Sequence, residues 1–266
     1  MHSLSSVLFF AFFTAINWIH SESSIPRHIF EQAESGDVSA QCYIAWHYRD
    51  GKLVQQNFQE ALKWYQRAAD SGSADAQAAL GSMFQEGQGI EKNSFESVKY
   101  YRKAALQGNA YAQAMLGVHL CDGSGTETNY QEAMEWLKKA DAHNEGIASW
   151  QMGVVYDHGL GVPRDQAEAN KWYLKSANQG FSMGMNSIGW VYREGRGVER
   201  NYAEALRWFR LSAEKKDPWA LYQLGVCYRD ALGVPKDIPM AKDFFLKAVQ
   251  EGWPDANQAL KELSIK

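Results

Sequence analysis

Gly189 recurs at Gly81, Gly117, Gly153 and Gly225 with a constant step of 36 residues, and Ala45 fills the same slot at the start of the series. The Tyr192 slot keeps step as Tyr48, Phe84, Leu120, Tyr156, Tyr192 and Tyr228. So does the Trp208 slot, as Trp64, Tyr100, Trp136, Trp172, Trp208 and Phe244. Six copies follow one another without an insertion, and nothing else in the chain constrains it as much. A fixed period of this kind means stacked supersecondary units, each too small to bury its own apolar face. Such a run leaves no room for a separate catalytic domain.

Each copy reads as two helices. In the first, Ala76, Leu80, Gly81 and Phe84 fall on one helical face. A Gly-x-Gly turn closes it, at Gly87 and Gly89, Gly123 and Gly125, Gly159 and Gly161, and Gly195 and Gly197. The second helix opens on a polar cap at Asn57, Asn93, Asn129, Asp165, Asn201 and Asp237, residues that accept hydrogen bonds from first-turn amides. It buries Ala61, Trp64 and Ala68, and its last turn is basic at Arg67, Lys103, Lys139, Lys175 and Lys247, which suits the helix dipole. A stop follows at Gly36, Gly72, Gly108, Asn144, Gly180, Lys216 and Gly252. At Lys216 the break is expected to come from Pro218 instead. The Trp208 slot is expected to fill the space that the small Gly189 and Ala205 slots leave between helices.

Gly195-Arg196-Gly197 is therefore a structural turn. A phosphate loop occurs once, after a strand, with a Lys opening the following helix. This turn recurs through the chain with no strand before it.

The pattern A-x-x-x-L-G-x-x-Y-x-x-G-x-G-V, followed by N/D-x-x-x-A-x-x-W-Y-x-x-A-A, resembles the Sel-one-like repeat family, relatives of the tetratricopeptide repeats. The resemblance runs from about Val38 to Leu263. It implies an all-α fold: a right-handed α-solenoid of six 36-residue helix-turn-helix repeats, with first helices lining a concave groove and second helices forming the outer wall. Residues 37–252 hold the repeats, 25–36 and 253–264 short capping helices, and 1–23 a separate apolar leader. The resemblance also implies a non-catalytic scaffold that binds a protein or peptide in the groove. An exported hydrolase of β-lactam or cell-wall type is one alternative, and a purely structural envelope or secretory subunit another. The branch of the family associated with β-lactam hydrolysis carries a regular cysteine pair in its repeats. Here Cys42, Cys121 and Cys227 form no such pair and read as small buried hydrophobes.

By analogy with tetratricopeptide repeats, the groove-facing slots in copy six are those of Trp219, Tyr222, Val226, Arg229 and Asp230. The partner-binding candidates are Trp46, Arg49, Trp150, Trp190, Arg193, Trp219, Tyr222 and Arg229. Trp150, Trp190, Trp219 and Tyr222 fall in consecutive copies, and are expected either to form one aromatic patch of the hot-spot type or to extend the core. Arg49, Arg193 and Arg229 share one slot, beside a slot holding Asp50, Glu86, Asp122, His158, Glu194 and Asp230. Acids at a helix C-terminus oppose the dipole, and pairing with the neighbouring Arg would offset this.

No catalytic, cofactor or metal residue is expected. Cys121, Asp122, Asp157 and His158 come near one another between copies three and four, but their spacing matches no metal-ligand set. Ser212 to Lys215 matches the S-x-x-K string of penicillin-reactive enzymes without the S-D-N or K-T-G that accompany it. A net charge of -4 leaves no basic footprint for nucleic acid. The run from Ser6 to Ile19 is apolar, Phe-rich and uncharged, followed by Ser21, Ser23 and Ser24, which is signal-peptide-like although no Lys or Arg precedes it. It implies a secreted, periplasmic or secretory-pathway location, or a cytoplasmic one if the leader is not a signal. Membrane contact is expected only through this leader if it stays uncleaved.

Overall fold

The computed structural model describes residues 24–264, and the expected leader lies outside them. Among the described residues there are fourteen helices and no strand. Helix α1 (Arg27–Glu34) precedes six pairs. These are α2 (Val38–Asp50) with α3 (Phe58–Asp70), α4 (Ala74–Glu86) with α5 (Ser94–Leu106), and α6 (Ala110–Asp122) with α7 (Tyr130–Asp141). Next come α8 (Gly146–His158) with α9 (Gln166–Asn178), α10 (Ser182–Glu194) with α11 (Tyr202–Glu214), and α12 (Pro218–Asp230) with α13 (Ile238–Gln250). Helix α14 (Ala256–Ser264) closes the series. No helix among the described residues is long and apolar enough to cross a membrane.

Contacts gather the chain into two compact units. One runs up to Ala112 and includes Ser124–Thr126; the other takes Gln113–Gly123 and everything from Glu127 onward.

Capping sets the helix boundaries. The side chains of Asn57, Asn93, Asn129, Asp165, Asn201 and Asp237 each accept a first-turn backbone N–H of the second helices. Asp37, Ser73, Asn109 and Asp217 do the same for α2, α4, α6 and α12. Each such cap stabilises its helix by about 1 kcal/mol. Most first helices end on a glycine in the left-handed region, and in copy six Ala231 takes that conformation at φ 57°. The break between copies five and six differs from expectation. Lys216 itself turns left-handed at φ 61°, while Pro218 opens α12 at its first turn, where a missing N–H costs nothing.

The core corrects the expectation about the Trp208 slot. The residue that fills the space over the small slot is the next one along. A Cβ on Gly81 would come 2.7 Å from the Tyr101 ring, on Gly153 2.5 Å from Tyr173, on Gly189 2.5 Å from Phe209 and on Gly225 2.6 Å from Phe245. In copy three the partner is Leu137, 2.6 Å from a Cβ on Gly117. The Trp208 slot instead lies beneath the basic residue three positions on: Arg67 over Trp64 at 4.6 Å, Lys103 over Tyr100 at 5.4 Å, Lys139 over Trp136 at 4.1 Å, Lys175 over Trp172 at 5.2 Å and Lys247 over Phe244 at 5.5 Å. The basic last turn thus also covers an indole or phenyl face by cation–π attraction. In copy five Leu211 holds that position, and Arg207 lies over Trp208 at 4.7 Å instead.

The second glycine of the turn joins one copy to the one before. A Cβ on Gly125 would meet the Ser94 carbonyl oxygen at 2.2 Å, and on Gly161 the Tyr130 Cβ at 2.5 Å, each contact at the first residue of the previous copy's second helix. Copy one has Leu53 in this slot, and that side chain packs on the core of the first unit.

Candidate functional site

Each unit holds a cavity whose walls come largely from first helices. In the second unit a cavity of about 450 Å³ lies among Trp150, Trp190, Trp219 and Trp253, with Met183 and Pro218 completing its apolar lining. Trp190 and Trp219 are tilted against each other at 6.1 Å. Trp219 packs edge-on to Phe209 at 5.6 Å, and Trp150 lies 6.3 Å from Phe181. The Trp150 indole N–H donates to Ser187 Oγ at 3.1 Å. All four indoles are half-buried.

One polar wall of this cavity is the Asp157–Arg196 pair. Arg196 Nη2 donates to Asp157 Oδ1 at 2.7 Å, and Asp157 is only 5 % exposed. Tyr173 donates to the other carboxylate oxygen at 3.3 Å, and Arg164 approaches at 3.7 Å. Burial, with the neighbouring Asp157 charge behind it, pushes the Tyr173 phenol up, so it remains a donor at neutral pH. The arginine of the Gly195-Arg196-Gly197 turn is therefore committed to a carboxylate of copy four.

In the first unit a cavity of about 650 Å³ is lined by α2 and α4, with Tyr65 from α3 and Asn109 and Tyr111 at one end. Trp46 and Arg49 are both in its wall. Arg49 Nε lies 3.0 Å from Asp50, and its guanidinium sits over the Tyr65 ring at 6.0 Å. Burial pushes the Tyr65 phenol up to about 12. Burial also raises the Cys42 thiol, whose Sγ lies 3.6 Å from Ser73 Oγ, so the cavity presents a thiol rather than a reactive thiolate.

Five of the eight candidate residues divide between two places. Trp46 and Arg49 belong to the first unit's cavity; Trp150, Trp190 and Trp219 share the second unit's. Tyr222 does not join that patch. It packs on Phe245 at 5.5 Å and on Trp253 at 6.4 Å, because its helix turns it towards α13. Arg193 stacks over Trp190 at 4.1 Å while binding Glu194 at 2.7 Å and donating to Gln223 Oε1. Arg229 binds Asp230 at 2.7 Å and reaches Glu262 at 3.9 Å. In copies one, five and six, then, the acid at the helix C-terminus is paired with the Arg before it.

Trp253 is the wall residue that sequence reasoning missed. Its slot is the capping slot of Asp37, Ser73, Asn109 and Asp217, and an indole there is out of character. Phe181, also in that slot, was the matching signal beside Trp150.

Among the described residues no three His, Cys, Asp or Glu side chains are placed to hold a metal ion. Ser212 is fully buried, its Oγ donating to the Ser182 carbonyl at 3.5 Å. Cys121 and Cys227 are buried, Cys42 is half-buried, and all three are free thiols.

Comparison with known proteins matches the Sel1 repeat at residues 38–73, 74–109, 110–140, 146–181, 182–217 and 220–253. The chain belongs to the Sel1 repeat family. Its fold is an all-α solenoid of Sel1 repeats, related to the tetratricopeptide solenoids. The crystal structure of a Sel1 repeat protein from Oxalobacter formigenes is 33 % identical, covering 79 % of this chain and 84 % of that one at a TM-score of 0.72. The structure of c5321, described as a protective antigen present in uropathogenic Escherichia coli strains, is 32 % identical at a TM-score of 0.68. That match covers 88 % of this chain but only 50 % of the antigen. The immunity protein Pa5087 of Pseudomonas aeruginosa, 17 % identical over 90 % of this chain and 87 % of its own at a TM-score of 0.56, shares the fold. No curated protein matches this chain. Sel1 repeat scaffolds mediate protein–protein interaction in general, and the family is generally non-catalytic.

Proposed function

We propose that this Sel1 repeat protein is a non-catalytic adaptor that holds a segment of another protein on the faces made by its first helices. The observation that carries the reading is the tryptophan-walled cavity of the second unit. Repeat packing does not call for those indoles. The Trp190 slot holds tryptophan again at Trp46, itself in the first unit's cavity wall, and is otherwise Ser82, Val118, Val154 and Val226; the Trp150 slot is Cys42, Ala78, Ala114, Asn186 and Tyr222 in the other copies. Half-buried indoles around a concavity are what partner anchors use, since aromatic side chains bury much area at small entropic cost. Met183, 43 % exposed on the same helix as Trp190, adds an adaptable apolar rim.

The reading includes a location outside the cytosol, supported by the apolar run from Ser6 to Ile19 and by kinship with a protein described as a protective antigen. N-terminal sequencing of the mature protein tests that part: an N-terminus between Ser21 and Ser24 supports export, and an intact Met1 counts against it.

Proximity labelling with the full chain, followed by pulldown of the labelled partner, tests the adaptor role. Met183→Ala with Trp190→Ala removes two walls contributed by one helix. Loss of that partner at an unchanged melting temperature is expected. Undiminished capture by the folded double variant overturns the assignment to this cavity.

A further inference from the structure

The first unit's cavity carries a charge pattern that stacking does not require. Apart from His47, the charged residues of α2 and α4 are Arg49, Asp50, Asp75 and Glu86. All four line the cavity. Arg49 neutralises Asp50 at 3.0 Å. The hydrogen bonds to the other two carboxylates come from neutral donors, while the Arg49 guanidinium also feels the Glu86 charge. Asn109 Nδ2 donates to Asp75 Oδ1 at 2.8 Å, while Ser82 Oγ and Gln88 Nε2 lie 3.3 Å and 2.6 Å from Glu86. Three fixed carboxylates against one guanidinium leave an excess of negative charge, complementary to positive charge at little reorganisation cost.

The aromatic rings of the cavity are set for the same kind of guest. Lys52 Nζ lies 4.3 Å from the Trp46 ring centroid, so this indole already attracts an ammonium. Tyr111, also in the lining, stands 37 % exposed and packs edge-on to Tyr101 at 6.0 Å. Asp75 and Glu86 open and close the same helix. Eleven residues at 1.5 Å rise separate them by about 16 Å. An extended chain covers that distance in about five residues.

We propose that the first unit's cavity docks an extended basic segment of a partner protein, with one Lys or Arg at Glu86 and a second, about five residues away, at Asp75. The segment supplies the positive charge that Arg49 alone does not, and its side-chain stems cover the aromatic faces. This deepens the adaptor reading at a second cavity and rests on it. The two are separable by experiment, because Met183 and Trp190 belong to the other unit.

The probe is a fluorescein-labelled hexapeptide, acetyl-Lys-Ala-Gly-Ser-Ala-Lys-amide, titrated against the full chain by fluorescence anisotropy. Binding is expected for this peptide and not for its Glu-for-Lys analogue. It should weaken as salt rises, since exposed charges are screened within about 10 Å at 0.1 M. Asp75→Asn and Glu86→Gln keep the acceptor oxygens and remove the charges. Each should weaken binding about fivefold, the upper end for an exposed ion pair, with circular dichroism and melting unchanged. Three results overturn the proposal: no binding at millimolar peptide, equal affinity for the Glu analogue, or indifference to both substitutions. Spermidine binding as tightly as the peptide also overturns it, by assigning the site to small polycations.

Discussion

Gly189 lies so close to the Phe209 ring that a methyl group on its Cα would sit 2.5 Å from Cε1. The same glycine-to-ring contact recurs in copies two, four and six, which ties a sequence period to a packing distance. Gly189→Ala must displace a fully buried ring, and overpacking of this kind costs about 1–3 kcal/mol. Urea unfolding should show a lowered midpoint. A midpoint unchanged from wild type would mean that the ring moves freely and that the small slot is not what sets helix approach.

The turn glycines separate two effects that usually travel together. Gly108 and Gly125 both take left-handed backbone, at φ 91° and φ 76°. Gly108 has nothing within 4 Å of its missing Cβ, whereas Gly125 has a backbone carbonyl oxygen at 2.2 Å. Gly108→Ala is expected to cost about 1–2 kcal/mol, the conformational penalty alone. Gly125→Ala should cost at least as much again, because backbone cannot step aside as a side chain can. Equal losses in thermal melts would remove the close approach from the account.

Much of this fold was legible because a repeat states each requirement six times. A single Asn before a helix is a weak signal, but Asn57, Asn93, Asn129, Asp165, Asn201 and Asp237 in register name the cap. Legibility failed where a residue acts across copies. Arg196 occurs in the Gly-x-Gly turn of copy five alone, so no register shows that it reaches back 39 residues to Asp157. The Trp208 slot misled for a different reason. Adjacent aromatic slots, Trp208 and Phe209, face different ways, and period alone does not say which one meets the glycine. For the candidate site, the first-helix slots were readable, but the turn of Tyr222 towards Phe245 and the entry of Trp253 depend on the last helix pair packing on α14.

The Asp157–Arg196 pair should be worth more to folding than any exposed ion pair in the chain. Arg196→Met leaves a carboxylate that is 5 % exposed with one phenol and a distant Arg164. Hydrogen bonds to a buried charged group contribute about 1.5–3 kcal/mol, and a loss of that order is expected. Adding Asp157→Asn should recover part of it, since no uncompensated charge then remains. Additive losses in the double-mutant cycle would show that the two side chains are not coupled.

Trp208 and Trp190 give opposite expectations for the same substitution. Trp208 is 4 % exposed and packs in the core with Tyr173 and Ile188. Trp208→Ala should cost about 3–5 kcal/mol. Trp190 is half-buried against Trp219 and Arg193, so Trp190→Ala should cost far less and quench a distinct part of the indole emission. Comparable destabilisation of the two variants would move Trp190 from the cavity wall into the core.

Acid should weaken the first unit through His47. The imidazole is 5 % exposed, wedged edge-on to Tyr43 at 4.4 Å and Trp46 at 4.7 Å, and its buried Nδ1 has no hydrogen-bond partner. Burial, helped by the Lys52 charge, pulls its pKa below the ordinary value. The unfolded chain therefore binds the proton more readily than the folded one, and stability falls as pH drops below about 6.5. The contribution is fully present above that pH and is lost towards the lower folded value. Copy two places Met83 in the same slot, fully buried, so His47→Met is a substitution the repeat already accommodates. Urea midpoints at pH 7.5 and pH 5.5 should differ less in His47→Met than in the wild type. Identical pH slopes in the two proteins would assign the acid sensitivity to other groups.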